Sequence, residues 1–217
     1  MTLFITLTGP RGVGKDYVAK KLRDSLRKLN VNAHRMSLAR PIKETVSDLT
    51  GLSFEDIEVM KRSPATGVRQ LLIDVGMAGR KYDENFWINK VKEESKYLDV
   101  AIVPDVRFKN EIREFGGMNL CVYDDTMSPP PSTMIDPSEE LAWDAHGIAV
   151  MRSARMATSA RLRFLKSRLF GFDGRPISGE GSPWRFVLNN KRPANLGQLD
   201  ARVDALAEEV RYKLMRS

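Results

Sequence analysis

The sequence predicts an α/β domain of three layers, with a central parallel sheet between two layers of helices. Short apolar segments alternate with longer segments whose apolar residues recur at helical spacing. Residues 100–103 (VAIV) form a continuous apolar run, which is typical of a strand buried on both faces of a parallel sheet. Strands that alternate with helices in this way indicate an α/β fold.

Local patterns justify the elements in chain order. Residues 2–8 (TLFITLT) are rich in β-branched and aromatic side chains and end at a Gly-Pro turn, which predicts a buried strand. Ser53 is a candidate N-cap, and Gly51 and Gly76 are expected to end helices. The same criteria predict further strands at 31–38, 100–103, 119–123 and 184–188, and helices at 15–29, 42–49, 54–60, 68–75, 85–97, 111–115 and 199–215.

The regular alternation stops after residue 124. Residues 124–137 contain three consecutive prolines and predict an exposed loop. Residues 151–170 predict a strongly basic helix, and residues 171–183 are rich in glycine. We therefore expect a core made of residues 1–144 and 184–217, interrupted by a basic, lid-like helical insertion at 145–183.

Composition restricts the class of protein. The 217 residues are 42% hydrophobic and 29% charged, as in ordinary globular domains, which excludes wholesale disorder and a collagen-like structure. The net charge of +7 suits an anionic ligand, either a nucleic acid or a small nucleotide. One cysteine, no signal-peptide pattern and no apolar run of membrane-spanning length predict a cytoplasmic protein without a membrane partner.

A phosphate-binding loop is predicted between the first strand and the first helix. Residues 9–15 (GPRGVGK) match the G-x-x-x-x-G-K pattern, whose glycines let backbone N–H groups surround a phosphate at a helix N-terminus. Lys15 is then expected to reach the β- and γ-phosphates. The alternative is an ordinary glycine-rich turn. The residues expected to bind the cofactor are Gly9, Arg11, Gly12, Val13, Gly14, Lys15 and Asp16.

Two carboxylates are candidates for holding Mg²⁺. Asp16 stands where serine or threonine usually supplies a hydroxyl to the ion. Asp105 follows the apolar strand at 100–103, a usual position for a second carboxylate near the metal. The alternatives are a helix N-terminal charge at Asp16 and a helix cap at Asp105.

Several further motifs follow the loop in a fixed order. They are ARPIK at 39–43, RQLL at 69–72, Gly76 with Arg80, Trp87, DVRF at 105–108 with NE at 110–111, SE at 138–139 and NN at 189–190. Together with the loop that ends in Asp16, this series resembles the deoxynucleoside monophosphate kinases of tailed bacteriophages. The resemblance spans most of the chain outside 145–183. It departs from the family at Arg40, where an acidic residue is frequent, and before residue 138, where a histidine is common.

The resemblance implies a P-loop nucleoside monophosphate kinase fold, ATP and Mg²⁺ as cofactors, and phosphoryl transfer from ATP to a deoxynucleoside monophosphate (dNMP). Guanidinium groups suit the acceptor, because arginine binds phosphate oxygens bidentately. The alternative for each such arginine is a surface or core-bridging role. The residues assigned to the substrate are Lys43, Arg69, Gln70, Arg80, Trp87, Asp105, Arg107 and Glu139.

The basic insertion is interpreted as a lid that closes over ATP and brings an arginine to the transferring phosphoryl group. Arg152 and Arg155, one helical turn apart, are the first candidates. The predicted catalytic residues are then Lys15, Asp16, Arg107, Arg152 and Arg155. A solvated basic face or a nucleic-acid contact is the alternative for the insertion.

Two other functions remain open from the sequence. One is a P-loop kinase for another small molecule, such as dephospho-coenzyme A. The other is a nucleotide-gated nucleic-acid-binding module that uses the basic insertion. We expect the small-molecule dNMP substrate rather than a nucleic acid, in the host cytoplasm if the chain is phage-encoded. A homodimer is left open.

Overall fold

The computed structural model describes residues 1–124, 126–130, 139–155, 186–189 and 196–216. It contains a five-stranded sheet in the order β2-β3-β1-β4-β5, and each neighbouring pair of strands is parallel. The strands are β1 (Leu3–Thr8), β2 (Ala33–Arg35), β3 (Val100–Val103), β4 (Met118–Tyr123) and β5 (Phe186–Asn189). The helices are α1 (Lys15–Lys28), α2 (Ala39–Thr50), α3 (Phe54–Met60), α4 (Val68–Tyr82), α5 (Phe86–Glu94), α6 (Lys109–Phe115), α7 (Glu140–Arg155) and α8 (Leu196–Leu214). The predicted α/β class with a parallel sheet is confirmed.

The sheet has a separate apolar core on each face. Ile5 and Leu7 of β1 belong to the core that α1 and α8 cover, while Ala101 and Val103 of β3 belong to the core that α5, α6 and α7 cover. A smaller cluster of Val46, Ile57 and Val68 joins α2, α3 and α4. The result is the expected three layers, with α2–α4 as an attached helical group.

Polar contacts fasten α8 to α1. The Tyr17 hydroxyl donates to Asp200 at 2.7 Å, and the Ser25 hydroxyl donates to Asp204. Lys21 lies between both carboxylates, at 3.7 Å from Asp200 and 3.5 Å from Asp204. The helix that follows the phosphate loop is thus held by the last helix of the chain.

One predicted helix end is wrong. Helix α4 continues through Gly76 to Tyr82 instead of stopping at residue 75. The Trp87 indole N–H donates to the Gly76 carbonyl at 2.9 Å, and a Cβ at Gly79 would lie 2.6 Å from the Trp87 ring. Gly79 is needed because the aromatic ring packs against the helix there, and Gly76 lies inside the helix without ending it.

Other boundaries differ less. Strand β2 covers Ala33–Arg35 of the predicted 31–38, and α5 covers Phe86–Glu94 of the predicted 85–97. The predicted N-cap is confirmed, since the Ser53 hydroxyl accepts from the Asp56 backbone N–H at 3.1 Å. No helix in the described ranges is long and apolar enough to cross a membrane.

The predicted division of the chain passes through α7. Ala145, His146 and Ala149 of this helix are buried, and both alanines belong to the second core. The predicted start of the insertion at residue 145 therefore falls within a helix that packs on the sheet. Residues 156–183 lie outside the described ranges, so the lid remains a prediction.

Candidate phosphoryl-transfer site

The phosphate loop leaves the central strand and runs directly into α1. Gly9 has φ 143°, and a Cβ there would lie 2.1 Å from the carbonyl oxygen of Val122, so only glycine fits. Val13 is buried in the first core and anchors the middle of the loop. Gly14, at φ 94°, is the N-cap of α1. The loop is thus fixed to the sheet at both ends, with the first turn of a helix behind it.

The Lys15 ammonium group lies inside the loop. It donates to the carbonyl oxygens of Gly9 at 2.5 Å and Pro10 at 3.0 Å. Burial lowers the pKa of Lys15, Glu139 opposes that shift and Arg107 reinforces it. A partly buried cation whose hydrogen bonds go to neutral carbonyls favours an anionic ligand, because an opposite charge would replace its lost hydration.

Arg107 and Glu139 meet beside this lysine. The Nη1 atom of Arg107 is 3.8 Å from Oε1 of Glu139, and the charges of both residues act on Lys15. Three predicted site residues from distant parts of the chain therefore converge near the C-terminal end of β1. Parallel α/β sheets generally bind ligands at this edge.

Asp16 has a partner that the sequence did not suggest. It lies in the first turn of α1 with an 85% exposed side chain, and it forms an ion pair with Arg35 at the end of β2. This acidic residue also complements the positive end of the helix dipole.

Asp105 caps α2. Its carboxylate accepts from the Ser37 hydroxyl at 2.6 Å and from the backbone N–H groups of Leu38 and Ala39, both at 3.2 Å. Asp105 thus caps a helix that precedes it in the chain, and no local sequence pattern predicts this contact.

Asp16 and Asp105 could bind Mg²⁺ only together with oxygens of a bound nucleotide. The described ranges contain no group of three acidic, histidine or cysteine side chains that could hold a metal by themselves. Mg²⁺ in kinases usually takes one or two carboxylates and completes its shell with phosphate oxygens and water. The exposed Asp16 beside the loop suits that arrangement better than Asp105, whose oxygens already accept three hydrogen bonds. A metal role for either residue stays a prediction.

Arg80 is built into a network around Glu111. Its Nη2 is 3.4 Å from Oε1 of Glu111, its Nη1 donates to the Gly76 carbonyl at 3.3 Å, and its guanidinium lies 5.0 Å from the centre of the Phe108 ring. In this structure Arg80 joins α4 to α6, which is the core-bridging alternative. A substrate contact at Arg80 stays a prediction.

The remaining predicted substrate residues are spread over the helical group. Arg69 is exposed on the first turn of α4, and Gln70 donates to Asp74 at 2.8 Å on the same helix. Trp87 is 3% exposed, so a base could reach it only if the packing of α4 on α5 opened. The structure does not bring these side chains into contact with Lys15.

A groove of about 460 Å³ lies along α2. The lining includes two cationic side chains and an aromatic ring. It begins at Ser37, whose hydroxyl donates to Asp105. Arg40, Glu44 and Phe54 were missed as site residues, although the ARPIK motif had drawn attention to this segment. The lining residues are Ser37, Arg40, Lys43, Glu44 and Phe54.

Arg152 and Arg155 lie at the end of α7. At about 1.5 Å per residue, their backbones are about 18 and 22 Å along the axis from the start of α7, next to Glu139. A catalytic role for either arginine stays a prediction.

Comparisons with known proteins place the chain among kinases. A family model described as phosphomevalonate kinase matches residues 7–119, from the end of β1 to the start of β4. Among solved structures, shikimate kinase from Acinetobacter baumannii in complex with shikimate is similar at 13% identity and a TM-score of 0.40, over 100% of this chain and 94% of that one. No curated protein matches. The resemblance to the phage enzymes is not confirmed.

Proposed function

We propose that this chain, which belongs to the phosphomevalonate kinase family, transfers the γ-phosphoryl group of ATP to a phosphomonoester, with a dNMP as the preferred acceptor. An oxygen of the acceptor phosphate forms the new bond to the γ-phosphorus. The bond from that phosphorus to the β–γ bridging oxygen breaks, and ADP leaves with the electron pair. The products are ADP and a diphosphate ester.

The donor half of the proposal uses the phosphate loop. Backbone N–H groups of residue 9 and residues 11–15 would surround the β-phosphate, and Lys15 would exchange its two carbonyl partners for phosphate oxygens. Asp16 would help to hold Mg²⁺, which supplies charge neutralisation on the transferring group when bound. Because phosphoryl transfer depends mainly on positioning and electrostatics, no covalent nucleophile is required.

The convergence of Lys15, Arg107 and Glu139 carries the proposal. The charge of Arg107 acts on Lys15, and the Arg107 side chain is 52% exposed. This position supports the proposed role of Arg107 in binding an acceptor phosphate next to the γ-phosphate. Glu139 would orient that guanidinium until the acceptor arrives.

The groove along α2 supports a nucleotide as the acceptor. Arg40 and Lys43, which pair with Glu44 and Glu58, are cations that an acceptor phosphate could engage, while the partly exposed Phe54 ring offers a flat apolar surface for a base. The family match favours a second candidate, phosphomevalonate. Both acceptors are phosphomonoesters that become diphosphates, so they make the same demand on Arg107.

An acceptor panel tests the proposal. Purified protein with ATP and Mg²⁺ would be mixed separately with each dNMP, each ribonucleoside monophosphate, phosphomevalonate, shikimate and dephospho-coenzyme A, and ADP release would be measured. We expect ADP above the acceptor-free rate with at least one dNMP. Turnover with phosphomevalonate alone would favour the second candidate.

A matched pair of lysine variants links turnover to the loop. Lys15→Ala should reduce turnover by on the order of 10²–10³-fold, the usual cost of losing one preorganised electrostatic group. Lys20→Ala, an exposed position on the same helix, should leave turnover unchanged. Equal activity in both variants, or no turnover with any phosphomonoester, would refute the proposed function.

A further inference from the structure

Glu111 is a buried carboxylate that the proposed chemistry does not use. Its side chain is 3% exposed, although glutamate almost never lies so deep without paired charges or hydrogen bonds. It belongs to the NE pair of the sequence motif, to which no role was given. A carboxylate this deeply buried needs hydrogen-bond partners that offset the loss of hydration.

Both carboxylate oxygens have partners, on two different elements. Oε2 accepts from the backbone N–H groups of Arg107 at 2.6 Å and Phe108 at 3.1 Å, in the turn after β3. Oε1 accepts from Arg80 of α4 at 3.4 Å. One side chain thus ties the turn at 105–108 to α4.

That turn carries two groups of the candidate site. Asp105 at its start caps α2, where the groove begins, and Arg107 faces Glu139 beside the phosphate loop. A shift of the turn would therefore move the cap and the guanidinium together. The stacking of Arg80 over Phe108, at 5.0 Å, keeps the turn packed against α4.

We infer that Glu111 is a positioning residue for the acceptor side of the site, acting through the backbone of Arg107. The inference rests on the proposed role of Arg107. The carboxylate touches no reacting atom in this account. It fixes the turn so that the guanidinium stands at the right distance from the transferring group. Burial raises the pKa of Glu111, while the two backbone N–H groups and Arg80 oppose that shift by favouring the ionised form.

The test substitutes Glu111→Gln, which keeps the shape of the side chain and removes its charge. With the best acceptor from the panel, kcat/KM for that acceptor should fall by on the order of 10-fold to 10²-fold, since small displacements of a positioning group are costly. The KM for ATP should stay within about twofold. Glu114→Gln, the same change one turn along α6 at a half-buried pair with Lys92, is the matched control and should change neither constant.

A double-mutant cycle separates positioning from general destabilisation. In an Arg107→Ala background, Glu111→Gln should change acceptor kcat/KM by less than about threefold, because the group through which it acts is gone. Independent, multiplying effects of the two substitutions would overturn the inference. So would a loss of thermal stability with no change in the acceptor constants.

Hydrogen exchange gives a readout that does not depend on turnover. The amides of Arg107 and Phe108 should exchange faster in Glu111→Gln than in the wild type, and at the wild-type rate in Glu114→Gln. Unchanged exchange at these amides overturns the inference whatever the activity. If the amides exchange faster in Glu111→Gln but the wild type phosphorylates none of the acceptors, the proposed function is refuted. The conclusion that Glu111 fixes the turn is then still supported.

Discussion

Replacing Asp105 by alanine should lower the free energy of unfolding by about 3 kcal/mol. The carboxylate accepts one short hydrogen bond from Ser37 at 2.6 Å and two longer ones from Leu38 and Ala39 at 3.2 Å. Hydrogen bonds to charged groups contribute about 1.5–3 kcal/mol each. We take the low end, about 1.5 kcal/mol, for the short bond and about half of that for each long one, since these lie at the limit of good geometry.

Chemical and thermal unfolding followed by circular dichroism would measure this loss. For a domain of this size, about 3 kcal/mol corresponds to a fall in Tm of about 6–12 °C. Ser37→Ala is the internal comparison, because it removes the short bond and leaves the carboxylate on both backbone N–H groups. It should cost about 1.5 kcal/mol, the value taken for that bond.

The result that would refute this reasoning is specific. If Asp105→Ala unfolds at the wild-type denaturant concentration but needs more Mg²⁺ for half-maximal turnover, the cap is unimportant and the metal-ligand hypothesis is right. If Asp105→Ala is no less stable than Ser37→Ala, the two backbone hydrogen bonds contribute nothing.

Three further predictions follow from the loop, the acceptor side and one ion-pair cluster. Gly9→Ala should cost more than about 3 kcal/mol or prevent folding, because its Cβ meets a backbone carbonyl of β4, whereas Gly12→Ala, with open space at φ 81°, should cost about 1–2 kcal/mol; equal denaturation midpoints would contradict this. Arg107→Ala should raise the acceptor KM and leave ATP affinity, measured by calorimetry, nearly intact; the reverse pattern would show that the site is divided differently. Two lysine ammonium groups lower the pKa of Glu58 from its ordinary 4.5 to about 2, so its contribution to stability is present above pH 4.5 and is lost as the pH falls towards 2. Glu58→Gln should therefore flatten the pH dependence of the unfolding free energy in that window, and an unchanged slope in urea titrations would show that these pairs contribute nothing.

The layers of this fold were predictable because they depend on local patterns. Apolar runs that alternate with helical patterns placed all five strands at or near their observed positions, and the strand-loop-helix pattern located the phosphate loop. The helix end predicted at Gly76 was wrong because glycine occurs inside closely packed helices as well as at helix ends. Nothing near Gly76 in the sequence shows that Trp87 will pack on that helix.

The candidate site was predictable in residue type more than in arrangement. Lys15, Arg107 and Glu139 were each named from motifs, and the structure brings them together. The cap from Asp105 to α2 depends on the strand order, which places β3 beside β2. Glu111 did have a local signal, since an acidic residue three positions after Phe108 is the spacing of a helix-capping box.

The contacts between α1 and α8 bear on how the chain is made. Tyr17 and Asp200 are 183 positions apart, and Ser25 and Asp204 are 179 apart. On a ribosome, the nucleotide-binding end is therefore synthesised first, yet part of the apolar face of α1 stays uncovered until residues 196–214 emerge. Contacts so distant in sequence slow folding, because a long loop must close before they form. A nascent chain that stalls before α8 would expose this face of α1 to chaperones or to other unfinished chains.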